Sequence, residues 1–274
     1  MMETIKKEWQ AKVATVLLIV LTIWWRVAPS FSPTPEKRFL GDFISIYVIM
    51  AIWGMLWGLL IAQKWGGIHS VIGKALLFFS AALGGQIFGQ IAYAYYPLIL
   101  HTPTPYPTIG DIGYFSSIPF SILGTFYLAK ASGVAINLRT YKQKIQALFI
   151  PFIMLFLGYL LFLQGYKFDW NHPASIILEF VAPLGQATYV SFAILTYLLS
   201  KGVLGGIMKN KVIFILFALC FQFLSDYVFL YQASRGTWLA GGINDYMYLF
   251  SYFLMTLALL QFKTVFDRLQ SKSP

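Results

Sequence analysis

Charge is what this 274-residue chain has least of: 11% of its residues are Asp, Glu, Lys or Arg, against 58% that are hydrophobic. A soluble domain carries about 25% charged residues, so a water-soluble globule is excluded. The single cysteine, Cys220, lies in an apolar run and can form neither an intrachain disulfide nor a thiolate zinc cage. Histidine is almost as scarce. His101 and His172, with Asp111, Asp169 and Asp245, make the one metal set to weigh, but no two share a ligand spacing, and surface polarity accounts for them. Phosphate-loop, HExxH, CxxC and nucleophile-elbow motifs are missing, so no enzyme is visible and no cofactor is implied.

What is present is a series of long apolar runs. A spanning helix needs about 20 apolar residues. Eight runs qualify as candidates, at residues 14–27, 39–62, 75–96, 112–130, 145–163, 174–199, 212–231 and 245–262. The expected fold is therefore an all-α integral membrane protein of eight transmembrane helices. The first run follows Lys6 and Lys7 as a signal peptide would, yet Trp24, Trp25 and Arg26 close it where a cleavage site needs small residues, so it reads as a retained helix. Under eight spans, 15 of the 20 basic residues share the side of both termini, which the positive-inside rule makes cytoplasmic. Arg26, Lys37, Arg38, Lys167 and Arg235 lie opposite. The expected location is the cytoplasmic (inner) membrane of a prokaryote. The net charge of +10 then suits the anionic headgroups of the lipid bilayer, and no basic run interleaved with aromatics suggests nucleic acid as a partner.

The chain also matches itself. At an offset of 136, Ala82, Leu83, Gln86 and Tyr95 meet Ala218, Leu219, Gln222 and Tyr231. At 134, Ile109, Asp111, Tyr114 and Ser117 meet Ile243, Asp245, Tyr248 and Ser251, and at 139 the turn Gly66-Gly67-Ile68 meets Gly205-Gly206-Ile207. These matches imply two parallel four-helix repeats, residues 1–136 and 137–274, related by an axis along the membrane normal, with a shared site between them.

Polar residues inside the runs are the candidates for that site. An ionised acid in hydrocarbon costs a few kcal/mol and needs a partner or a water-filled cavity. Asp226 and Glu179 both fall in the outer halves of their runs, which places them near one level. Gln222 and Asp226 are i,i+4, Gln86 and Gln90 repeat that spacing, and Glu179, Pro183 and Gln186 follow i,i+4,i+7, so each set shares a helix face. For the glutamines, interhelical hydrogen bonding is the simpler reading. For the two acids, a site is favoured. Asp111 and Asp245 open their runs and are expected to cap them, accepting N–H groups two or three residues on. Gly54-x-x-x-Gly58 and Gly85-x-x-x-Gly89 permit close helix contact, and the many Trp and Tyr read as interfacial belts and packing.

The segment Pro105-Tyr-Pro-Thr-Ile-Gly-Asp-Ile-Gly-Tyr114, with Gly242-Ile-Asn-Asp-Tyr-Met-Tyr248 and Asp226-Tyr227, resembles the multi-span sensor regions at the N-termini of bacterial diguanylate cyclases and histidine kinases. The resemblance covers about half the chain through short motifs. It implies a sensor-like or receptor-like membrane module. With the polar residues read above, the expected function is to bind a small ligand or cation in an outward-facing polar pocket of Glu179, Asp226, Gln86, Gln90, Gln222 and Gln186. Only twelve residues follow Phe262, so no cyclase or kinase output is expected and a separate membrane signalling partner would carry the signal. A small-solute or cation transporter using the same acids is the alternative.

Overall fold

A computed structural model describes residues 2–27, 46–102, 105, 107–132, 141–164, 170, 173–200, 209–235, 237–239 and 241–271. The regular structure among these residues is helical, with no strand. A short helix α1 (Met2–Lys7) precedes α2 (Trp9–Val27), α3 (Val48–Lys64), α4 (Val71–Tyr95), α5 (Ile109–Ala131), α6 (Tyr141–Gly158), α7 (Pro173–Ser200), α8 (Lys209–Ser234) and α9 (Ile243–Gln270). A π-helical turn extends α4 over Tyr96–Leu100 and another extends α6 over Tyr159–Leu163. Six segments among the described residues are long and apolar enough to cross a membrane: Trp9–Val27, Val71–Leu100, Ile109–Ala131, Lys144–Leu163, Lys209–Gln232 and Ile243–Gln270. The helix α3 is apolar but only 17 residues long, shorter than the run expected at 39–62, whose first residues lie outside the described ones.

Six helices close a ring. In the order α3, α4, α5, α7, α8, α9 each packs on the next, and α9 packs back on α3. Exchanging α3 with α7, α4 with α8 and α5 with α9 leaves that order unchanged. The other two long helices lie outside: α2 rests on α9 and touches α3, while α6 rests on α7. Burial follows from this, since α9 has 83% of its apolar window covered and α6 only 6%.

Small residues set how closely the helices approach. Where α4 crosses α5 the backbones touch: a Cβ added at Gly85 would lie 2.6 Å from the Gly113 carbonyl oxygen, and one at Gly113 would lie 2.6 Å from the Gly89 nitrogen. Gly54 and Gly58 of α3 similarly face Thr256 and Leu259 of α9 and Leu83 and Ser80 of α4. In the second half of the chain, Asn244 on α9 occupies the place that Gly110 has on α5. Its Nδ2 donates to the Ser225 carbonyl of α8 at 2.9 Å, a side-chain bond across the crossing that glycine closes in the first half.

The turn between α3 and α4 has a local cause. Gly66 and Gly67 adopt φ of 89° and 54°, a left-handed region that favours glycine. Ser70 then starts α4 by accepting the Gly73 N–H at 2.8 Å. The Gly205-Gly206 turn expected to match it lies outside the described residues. At this end of the bundle the two ends of the chain meet: Lys263 of α9 bonds Glu8 and, at 2.9 Å, Asp267, and Arg268 bonds Glu3. The Trp25 indole donates to the Gly241 carbonyl at 2.8 Å at the opposite end, tying the end of α2 to the turn that precedes α9.

Candidate functional site

Asp226 projects from α8 into the ring and is 6% exposed. Gln222, one turn earlier on the same face, donates from Nε2 to its Oδ1 at 2.9 Å. Tyr189 of α7 donates to Oδ2 at 3.1 Å, and the Tyr248 hydroxyl of α9 faces the same carboxyl. Three helices thus converge on one acid. Among the described residues no Lys, Arg or His pairs with it. Ser251 of α9 donates to Gln222 Oε1 at 2.6 Å, which ties the glutamine to a further helix.

A second polar group lies across the ring. Gln86 of α4 donates from Nε2 to Ser117 Oγ of α5 at 2.9 Å, and Tyr252 of α9 donates to Gln86 Oε1 at 3.2 Å. Gln86 therefore bridges the two halves. Gln90, one turn further along α4, is 3% exposed and faces the Tyr47 hydroxyl, which also faces Asp245. Gln90 also forms part of a largely apolar groove of about 230 Å³ with Val48, Ile91, Ala94, Leu98 and Ile99.

The two acids at the starts of α5 and α9 differ from expectation in direction. Asp111 sits at the third position of α5 and accepts the N–H of Thr108, three residues back, at 2.7 Å as one arm of a capping box. Its other oxygen accepts the Tyr93 hydroxyl at 2.6 Å. Asp245 likewise reaches back to the Gly241 N–H, four residues earlier. Both carboxylates bond groups that precede them because the chain enters each helix from a turn whose N–H groups would otherwise be buried without partners.

Glu179 is half-buried, and among the described residues no hydrogen bond or ion pair joins it to Asp226. One turn inward on α7, the Pro183 carbonyl accepts the Tyr227 hydroxyl at 3.0 Å. Gln186 makes no bond through its Oε1, which is buried with no partner among the described residues. No group of three or more His, Cys, Asp or Glu side chains converges among the described residues, while His172 and Asp169 lie outside them.

The sequence reading named no tyrosine for the site. Tyr47, Tyr189 and Tyr252 are 1–2% exposed, and Tyr114 and Tyr248 face the same interior. Reading tyrosines as belts and packing in general singled out none of them, although Tyr248, Ser251 and Tyr252 share the i,i+3,i+4 spacing of one face. No family model, no curated protein and no solved structure matches this chain.

Proposed function

We propose that the chain is an eight-span protein of a prokaryotic cytoplasmic membrane, with both termini inside, acting as a sensor-like receptor. A small ligand or cation reaching Asp226 from the outer side shifts the ring, and a membrane signalling partner reads the shift. The six span-capable helices, the apolar α3 and the 28-residue α7 support the count of eight. One observation carries the functional reading: Asp226 is buried between three helices with neutral partners and, among the described residues, no counter-charge. An acid so placed is costly as a structural device and marks a place where charge is bound.

The alternative, a small-solute or cation transporter, is favoured by the ring's exchangeable order, since transporter sites lie between repeated halves. Full-length chain in proteoliposomes separates the two. Sodium, potassium and tetramethylammonium salts and pH steps are applied outside while tyrosine and tryptophan fluorescence and ion flux are followed. A fluorescence shift that Asp226→Asn abolishes, without flux, is the receptor outcome. Asp226-dependent flux selects the transporter, and an unresponsive chain sinks both.

A further inference from the structure

The two polar groups of the ring are built from equivalent residues but point their hydrogens in opposite directions. In the first half Gln86 donates to Ser117, and Ser117 donates to the Tyr114 carbonyl, three residues back, at 2.6 Å. In the second half Ser251 donates to Gln222, and Gln222 donates to Asp226. Position 226 makes the difference, because at the 136-residue offset its counterpart is Gln90. A carboxylate only accepts, so Asp226 turns the Gln222 amide to present its NH2. Gln222 Oε1 is left for Ser251, whose hydroxyl must then donate.

We propose that Asp226 is a proton-binding site and that Gln222 and Ser251 form a relay whose polarity the proton reverses. This rests on the receptor reading of Asp226 and names the ligand. A proton from a hydronium ion outside bonds to Oδ1, releasing water and neutralising the carboxylate. The new O–H needs an acceptor and donates toward Gln222, so the amide turns over and presents its oxygen. Its NH2 then donates to Ser251, whose hydroxyl is free to bond the Tyr248 carbonyl three residues back. That is the arrangement already present at Gln86, Ser117 and Tyr114.

The surroundings favour a proton over a metal ion. Calcium takes six to eight oxygen ligands and magnesium about six. Here Gln222 and Tyr189 turn hydrogens, not lone pairs, toward the carboxylate. Among the described residues, the titratable groups around Asp226 are Tyr189 on α7, Tyr227 on α8, Tyr114 on α5, Tyr248 and Tyr252 on α9, and the acid Asp245 beyond them. None of these is cationic at neutral pH, so neutralisation is left to a bound proton.

Infrared difference spectra of the full chain in proteoliposomes, acidic minus alkaline, test this. A protonated-carboxyl C=O band should grow on acidification together with a side-chain amide change. Asp226→Asn should remove both, Gln222→Met should keep the carboxyl band and remove the amide change, and Glu179→Gln should leave both. If Asp226→Asn does not fold, Asp226→Glu decides, because it should displace the band in frequency. No Asp226-dependent band, with an Asp226-dependent fluorescence shift on adding sodium or potassium, would overturn the proton and keep the receptor. Neither signal would overturn both.

Discussion

Gln86 and Ser117 meet at 2.9 Å between α4 and α5, and their counterparts Gln222 and Ser251 meet at 2.6 Å between α8 and α9. The two pairs stand at the offsets of 136 and 134 residues at which the sequence matches itself. The outermost helices do not follow the exchange, since α2 packs mainly on α9 of the other half and α6 on α7 of its own.

Each of these pairs should stabilise the chain mainly through the cost of leaving a partner alone. Ser117→Ala and Gln86→Leu should each destabilise by about 1–3 kcal/mol, the double variant by less than their sum. Thermal unfolding in detergent of the four members of that cycle measures it. Additive losses would show that the two side chains do not act as a pair.

The backbone crossing of α4 and α5 leaves no room for a methyl group. Gly113→Ala should cost about 1–3 kcal/mol by overpacking. Gly84→Ala is the control, since its Cβ would meet only the Met55 sulfur at 3.2 Å. Comparable melting temperatures for the two variants would contradict the crossing.

Ser70 should matter more than an exposed serine does. Ser70→Ala removes the acceptor of the Gly73 N–H and should lower stability by about 0.5–2 kcal/mol, whereas Ser70→Asp should retain most of it. Denaturant titration of the three proteins gives the ranking.

The meeting of the chain's two ends should respond to pH and salt. A hydrogen bond from Lys7, and then the nearby Arg268, hold the exposed Glu3 carboxyl below the ordinary carboxylate range. A lowered folded value means the contribution is present above the unfolded value and lost as pH falls through the folded one. The protection factors of amide exchange at Glu3 to Lys7, corrected for the intrinsic pH dependence of exchange, should therefore fall in acid and in high salt. Lys263→Met should lower them more, because it strands the buried Glu8.

Topology can be read directly. With Cys220→Ala as background, Thr102→Cys should label with an impermeant reagent in intact cells, and Ser271→Cys only after lysis. The two sites lie at opposite ends of the bundle because α9 starts beside Trp25 and ends beside Glu8. The reverse labelling pattern would invert the orientation proposed from the basic residues.

Hydropathy is a local property, and so the sequence alone determined that the chain is helical and apolar and roughly where its long helices run. The same holds for Gln222 and Asp226, whose i,i+4 spacing puts them on one face in any helix. It could not rotate those helices about their axes or slide them past one another. That freedom is why Glu179, level with Asp226 by residue counting, makes no hydrogen bond to it, and why tyrosines that could have faced headgroups line the interior instead. Only the tertiary structure decided which amide meets which hydroxyl and which way each hydrogen points, because the direction is set by an acceptor-only carboxylate brought in by packing.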